Sequence, residues 1–207
     1  MKKIILTVLL LVVYSITFSQ SNYEKGMQKA LNFWKEGKVT EASNTFERIA
    51  NIENDNWLPN YYVAYVNIIA AFQDKNLETL TLKLDKAEKY LEKAQKITPN
   101  NVELLVLKAL HHTVWVSFDG ATYGRKYSGE ISQIYQQAKE MDPTNPRVIY
   151  SDAEWKIGSA KYFGKDITPY CKGLAHALEL FTTFKNETPF YPNWGKNRAE
   201  ELYNNCK

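Results

Sequence analysis

Few residues in this chain could support chemistry on their own. His111 and His112 are adjacent, and neighbours on a helix point about 100° apart, so the two do not easily share a ligand site. No further His or Cys stands near them at zinc-ligand spacing, and His176 is alone. All three read as helix-face packing or solvent positions, and no metal is expected. Glu154 follows Tyr150 by one helical turn and is the one pair worth inspecting as an acid or base in a cleft. The run from Gly120 to Lys126 has glycines and a lysine. It is one residue short of a phosphate-binding loop, lacks Ser or Thr after the lysine, and follows no strand. No serine-nucleophile motif appears. Carboxylates such as Glu88 and Glu92 stand beside Lys89 and Lys93, the pattern of a solvated helix face. These residues predict a protein that is not an enzyme and needs no cofactor.

The N-terminus predicts export. Met1-Lys2-Lys3 precedes an apolar run from Ile4 to Phe18, with small residues at Thr17 and Ser19, which reads as a signal peptide over 1–19. The run is shorter than the roughly 20 apolar residues of a spanning helix. No cysteine follows it, so no lipoprotein attachment is expected. The expected location of the mature chain, 20–207, is the periplasm or the outside of the cell, with no integral membrane anchor. Removing Lys2 and Lys3 and no acid leaves 24 basic against 23 acidic residues, a net charge of +1. No clustered basic face calls for nucleic acid. An apolar content of 44% with 14% aromatic residues suffices for one packed domain.

A spaced phrase recurs along the remainder. Ala87-Leu91-Ala94-Pro99, Ile131-Tyr135-Ala138-Pro143 and Ala177-Phe181-Phe184-Pro189 share the steps +4, +3 and +5, and Ala42-Phe46-Ile49 gives the same steps earlier. The first two steps keep the residues on one helical face, and proline ends the helix. An alanine falls at the eighth position of each unit: Ala30, Ala64, Ala109 and Ala153. The phrase and the alanines resemble the tetratricopeptide repeat (TPR). The resemblance covers four units, 23–56, 57–101, 102–145 and 146–191. Only the first has the standard 34 residues; the others carry about ten to twelve more, which predicts taller hairpins. Thr40, Thr168 and Asn193 are the expected N-caps. The segment 193–206 is expected to be a capping helix, with Trp194, Ala199, Leu202 and Tyr203 inward.

The resemblance implies an all-α, right-handed superhelix (an α-solenoid) of antiparallel hairpins whose first helices line a concave face. Its register places Met27, Leu31, Trp34, Tyr61, Tyr65, Ile68, Val106, Leu110, Tyr150 and Glu154 on that face. The set is apolar and aromatic, so the face is either a groove or already filled by the lengthened helices. The segment from Ser117 to Tyr127 reads as an unusual loop, and Phe118, Tyr123, Arg125 and Tyr127 suit recognition. Antiparallel neighbours would also bring Cys171, in a first turn, near Cys206 at the chain end; a disulfide and two buried thiols are the alternatives. The expected function is an exported module or scaffold of the cell envelope that binds a protein partner. The alternative is a binder of a small molecule or glycan that uses Trp34, Tyr61 and Tyr65.

Overall fold

The computed structural model describes residues 22–186 and 188–206; the expected signal peptide lies outside them. The described residues are all-α, with no strand among them. The helices are α1 (22–35), α2 (Val39–Ala50), α3 (Trp57–Ala71), α4 (Leu77–Ile97), α5 (Val102–Phe118), α6 (Gly120–Met141), α7 (Pro146–Tyr162), α8 (Thr168–Thr183) and α9 (Lys196–Asn204). No described helix is long and apolar enough to cross a membrane. Short connections make sequence neighbours antiparallel. Hairpins α3–α4, α5–α6 and α7–α8 join side by side through contacts of α3 with α5 and of α5 with α7.

Asparagine and aspartate start most of these helices. The side chains of Asn56, Asn76, Asn101, Asp119 and Asn145 each accept a backbone N–H of the first turn of the following helix. Such a cap satisfies a donor that the helix itself cannot. The expected caps fall elsewhere. Thr40 lies inside α2, whose Lys38 cap makes no side-chain bond. Thr168 is already helical, and Asp166 accepts its N–H at 2.9 Å. Asn193 does not cap α9; the helix begins at Lys196 after Gly195, later than the expected 193. Gly195 has φ 105°, and a Cβ there would lie 3.1 Å from the Phe181 ring and 3.2 Å from Tyr150. Backbone freedom and the lack of a side chain are both required at that turn.

The eighth-position alanines Ala30, Ala64, Ala109 and Ala153 are all buried, as are Ala42, Ala87, Ile131 and Ala177 opposite them. Small side chains let paired helices approach closely, and Phe46, Leu91 and Tyr135 fill the space beside them. In α3 every residue from Leu58 to Ile68 is buried, because α2, α4 and α5 all pack on it. His111 belongs to the same interior. Its Nε2–H donates to the Leu84 carbonyl of α4 at 3.2 Å, and burial lowers its pKa to about 4. Ala199 and Leu202 of α9 seal the far end against Tyr150, Ala153, Ile157, Leu174 and Ala177. The outward residues Lys196, Arg198, Glu200 and Glu201 are exposed.

Two further ties hold the C-terminal half. Arg147 at the start of α7 is 1% exposed and Glu103 of α5 is 0% exposed. Arg147 donates to both Glu103 carboxylate oxygens, at 2.7 and 2.6 Å, and Asn145 donates to the same carboxylate at 2.7 Å. Cys171 and Cys206 form a disulfide with Cα atoms 6.0 Å apart, 35 residues apart in sequence.

Three outcomes follow for denaturant unfolding. Arg147→Met leaves a buried carboxylate unpaired and lowers stability by about 3–5 kcal/mol, while the double change Glu103→Met with Arg147→Met costs less than that single one. Replacing both Cys171 and Cys206 by serine removes roughly 3–4 kcal/mol by freeing the unfolded chain. His111 binds its proton near pH 6.5 when unfolded and only at about 4 when folded. Its contribution is therefore complete above pH 6.5 and is lost as pH falls towards about 4; His111→Gln flattens stability across that window.

Candidate binding face

Residues spaced by three and four positions along α1, α3, α5 and α7 share one face of each helix. Burial along these four stripes changes in the same sense. Met27 is buried, while Leu31 and Trp34 are half-buried. Tyr61, Tyr65 and Ile68 are buried, and Ile69 and Phe72 are half-buried. Val106 and Leu110 are buried, Thr113 is half-buried and Ser117 is exposed. Arg147 and Tyr150 are buried, Glu154 is half-buried and Gly158 is exposed. Around Gly158 no atom lies within 4 Å of the place a Cβ would take. The N-terminal halves of the first helices are covered and the C-terminal halves are open.

The cover is the chain itself. Between α8 and α9 the strap, residues 188–195, crosses the first helices. Tyr62 donates its hydroxyl hydrogen to the Phe190 carbonyl at 2.9 Å, and Trp194 Nε1–H donates to the Tyr61 oxygen at 2.7 Å. Phe190 packs edge-on to Tyr23, and Tyr191 edge-on to Trp57. Phe190 has φ 62°, a conformation non-glycine residues hold only when surroundings impose it. Arg147 lies 4.8 Å from the Phe184 ring centre and 5.6 Å from that of Tyr191. Burial pushes the Tyr61, Tyr62 and Tyr65 phenols well above their usual range. Burial, then the Glu103 carboxylate, pushes Tyr191 up to about 12. These phenols stay neutral and serve as packing groups with one hydrogen-bonding end.

At the boundary between the covered and open halves stands an aromatic row. Trp194 stacks on Tyr65 with centroids 5.3 Å apart, and Trp34 meets Tyr65 edge-on at 5.9 Å. The open floor beyond is apolar on α1 and α3, with Leu31, Trp34, Ile69 and Phe72, and polar on α5 and α7, with Thr113, Ser117 and Glu154. Glu154 accepts from Tyr150 at 2.5 Å and from Arg198 at 2.9 Å. Its carboxylate is engaged by two partners rather than poised towards a cleft.

The expected recognition loop is a correction. Phe118 ends α5, Asp119 caps, and Tyr123, Arg125 and Tyr127 lie in the first turns of α6. Asp119 accepts from the N–H groups of Ala121 and Thr122, both at 3.1 Å. Ring packing then holds the helix down: Tyr123 lies 4.9 Å from Trp115, and Tyr127 stacks on His112 at 4.7 Å. His112 is buried, and burial lowers its pKa; His176 is exposed. Among the described residues no group of three or more His, Cys, Asp or Glu could hold a metal ion. Sequence reasoning missed the strap. Tyr191 and Trp194 in an aromatic run next to a capping helix are the signal that could have located it.

No family model matches the chain, and no curated protein matches it. Among solved structures it is similar to the HusA haemophore from Porphyromonas gingivalis. The likeness has a TM-score of 0.79 at 22% sequence identity and covers 89% of this chain and 92% of that chain. At this identity the shared property is the fold, and it extends over nearly the whole of both chains.

Proposed function

We propose that the protein is an exported, non-catalytic binding protein, and that its ligand is a flat, largely apolar molecule with a polar edge. In this reading the hairpins are TPR-like units wound as a right-handed superhelix, and α9 is the capping helix. The observation that carries it is the half-open face of the first helices. The strap covers one half, so the other is a short platform. Its apolar part is confined to two neighbouring helices, whose axes stand about 8–10 Å apart. From Ile69 to Phe72 on α3, and from Leu31 to Trp34 on α1, the open floor runs about one helical turn, roughly 5 Å. A plate of that size, backed by Trp34 and bordered by Thr113, Ser117 and Glu154, suits one planar ligand better than a long apolar segment. The cysteine pair and the signal-like sequence of residues 1–19 support export.

The solved structure with the similar fold is a haemophore, which makes haem the first ligand to try. The exported protein, titrated with haemin, is expected to show a saturable change in haem absorbance with quenching of tryptophan fluorescence. Trp34→Ala with Ile69→Ala is expected to weaken binding about tenfold or more while the helical signal is unchanged. A flat titration, or equal affinity in the variant, overturns the reading. A protein partner that the wild type captures and this variant loses would restore the protein–protein module that the family resemblance implies.

A further inference from the structure

The end of α7 exposes two aromatic rings at an outward bend. Tyr162 and Phe163 are each 65% exposed and stand perpendicular, with centroids 5.0 Å apart. Gly164, with φ 64°, turns the chain directly after them, and the Lys165 N–H closes the helix on the Ala160 carbonyl at 2.8 Å. The pair is therefore held on a fixed turn. A Cβ at Gly120 would lie 3.1 Å from the Tyr162 ring, so the start of α6 adjoins the same corner.

Positive charge stands beside the rings, with the Lys165 ammonium 5.7 Å from the Phe163 ring centre. Lys161, Lys165 and Lys172 are exposed, as are Arg125 and Lys126 in the first two turns of α6. None of the five makes an ion pair among the described residues. Two carboxylates at the corner are occupied as caps. Asp166 accepts from the Thr168 N–H and hydroxyl, at 2.9 and 2.7 Å, and Asp119 accepts from Ala121 and Thr122. A third carboxylate, Glu130, acts on Lys126, so five cations against three carboxylates leave a local charge of +2.

We propose that this corner docks on a negatively charged phospholipid surface. Exposed rings at the apex of a bend enter the headgroup layer, where aromatic side chains are favoured, while the lysines meet phosphates. Juxtaposed basic residues add attraction to anionic lipid that salt screens. The convex, two-ring apex fits a deformable surface, whereas an acidic protein would have to supply a matching pocket. The inference is independent of the ligand reading, because the corner lies outside the platform of Leu31, Trp34 and Ile69.

Vesicle sedimentation of the exported protein tests it. Vesicles containing about one-third phosphatidylglycerol are expected to carry the protein down, and vesicles of phosphatidylcholine alone are not. Tyr162→Ser with Phe163→Ser, and separately Lys161→Glu with Lys165→Glu, are each expected to weaken binding roughly tenfold. All four positions are exposed, so circular dichroism and haemin titration should match the wild type. No binding to the anionic vesicles, equal binding to both lipids, or full binding by both variants overturns the proposal.

Discussion

The fold depends on one buried charge pair. Glu103 and Arg147 have left water almost completely, and an ion without water needs its hydrogen-bonding capacity met by the protein. Burial works against the guanidinium charge, but the Glu103 carboxylate more than offsets it and raises the Arg147 pKa. Asn145 both caps α7 and donates to Glu103, so one residue sets the start of the helix and the position of the carboxylate. The remaining surface of the guanidinium is covered by the rings of Phe184 and Tyr191. The pair thereby joins α5 to α7 and gives the strap a place to land. Where the strap lands decides which half of the first-helix face is closed.

Aromatic side chains dominate the closed half because they combine large area with a polar end. Tyr61 and Tyr62 each reach the strap through a hydroxyl while their rings lie in the interior. A leucine core would bury the same area but offer the strap backbone and the Trp194 indole no partner. Trp34 and Trp194, half-buried at the edge of this cluster, are the natural meeting point between packed interior and open surface.

The helical hairpins could be read from the residues because their signals are local. Ala87, Leu91 and Ala94, and again Ile131, Tyr135 and Ala138, recur at spacings a helix enforces, and each is buried. Local signals failed where packing outweighed them. Gly120, Gly124 and Gly129 lower helix propensity, so the start of α6 reads as a loop; Trp115 and His112 hold it helical by stacking on Tyr123 and Tyr127. The strap was harder still, since its backbone follows no period and its partners lie far away. Tyr62 and Phe190 are 128 residues apart, and Tyr61 and Trp194 are 133 apart. The TPR register named one stripe of residues along the first helices, but nothing in it says that half of that stripe faces the chain's own return.

The disulfide gives the strap an unusual covalent position. Cys171 and Cys206 enclose most of α8, the strap and all of α9 in one ring, so the segment lying over the tyrosines has no loose end. It can bow outward but cannot be drawn off the face like a tail. A protease that cuts the exposed backbone at Lys185 or Asn186 would divide the polypeptide without releasing a fragment. Both pieces would stay linked through sulfur, and the cut would show on a gel only after reduction.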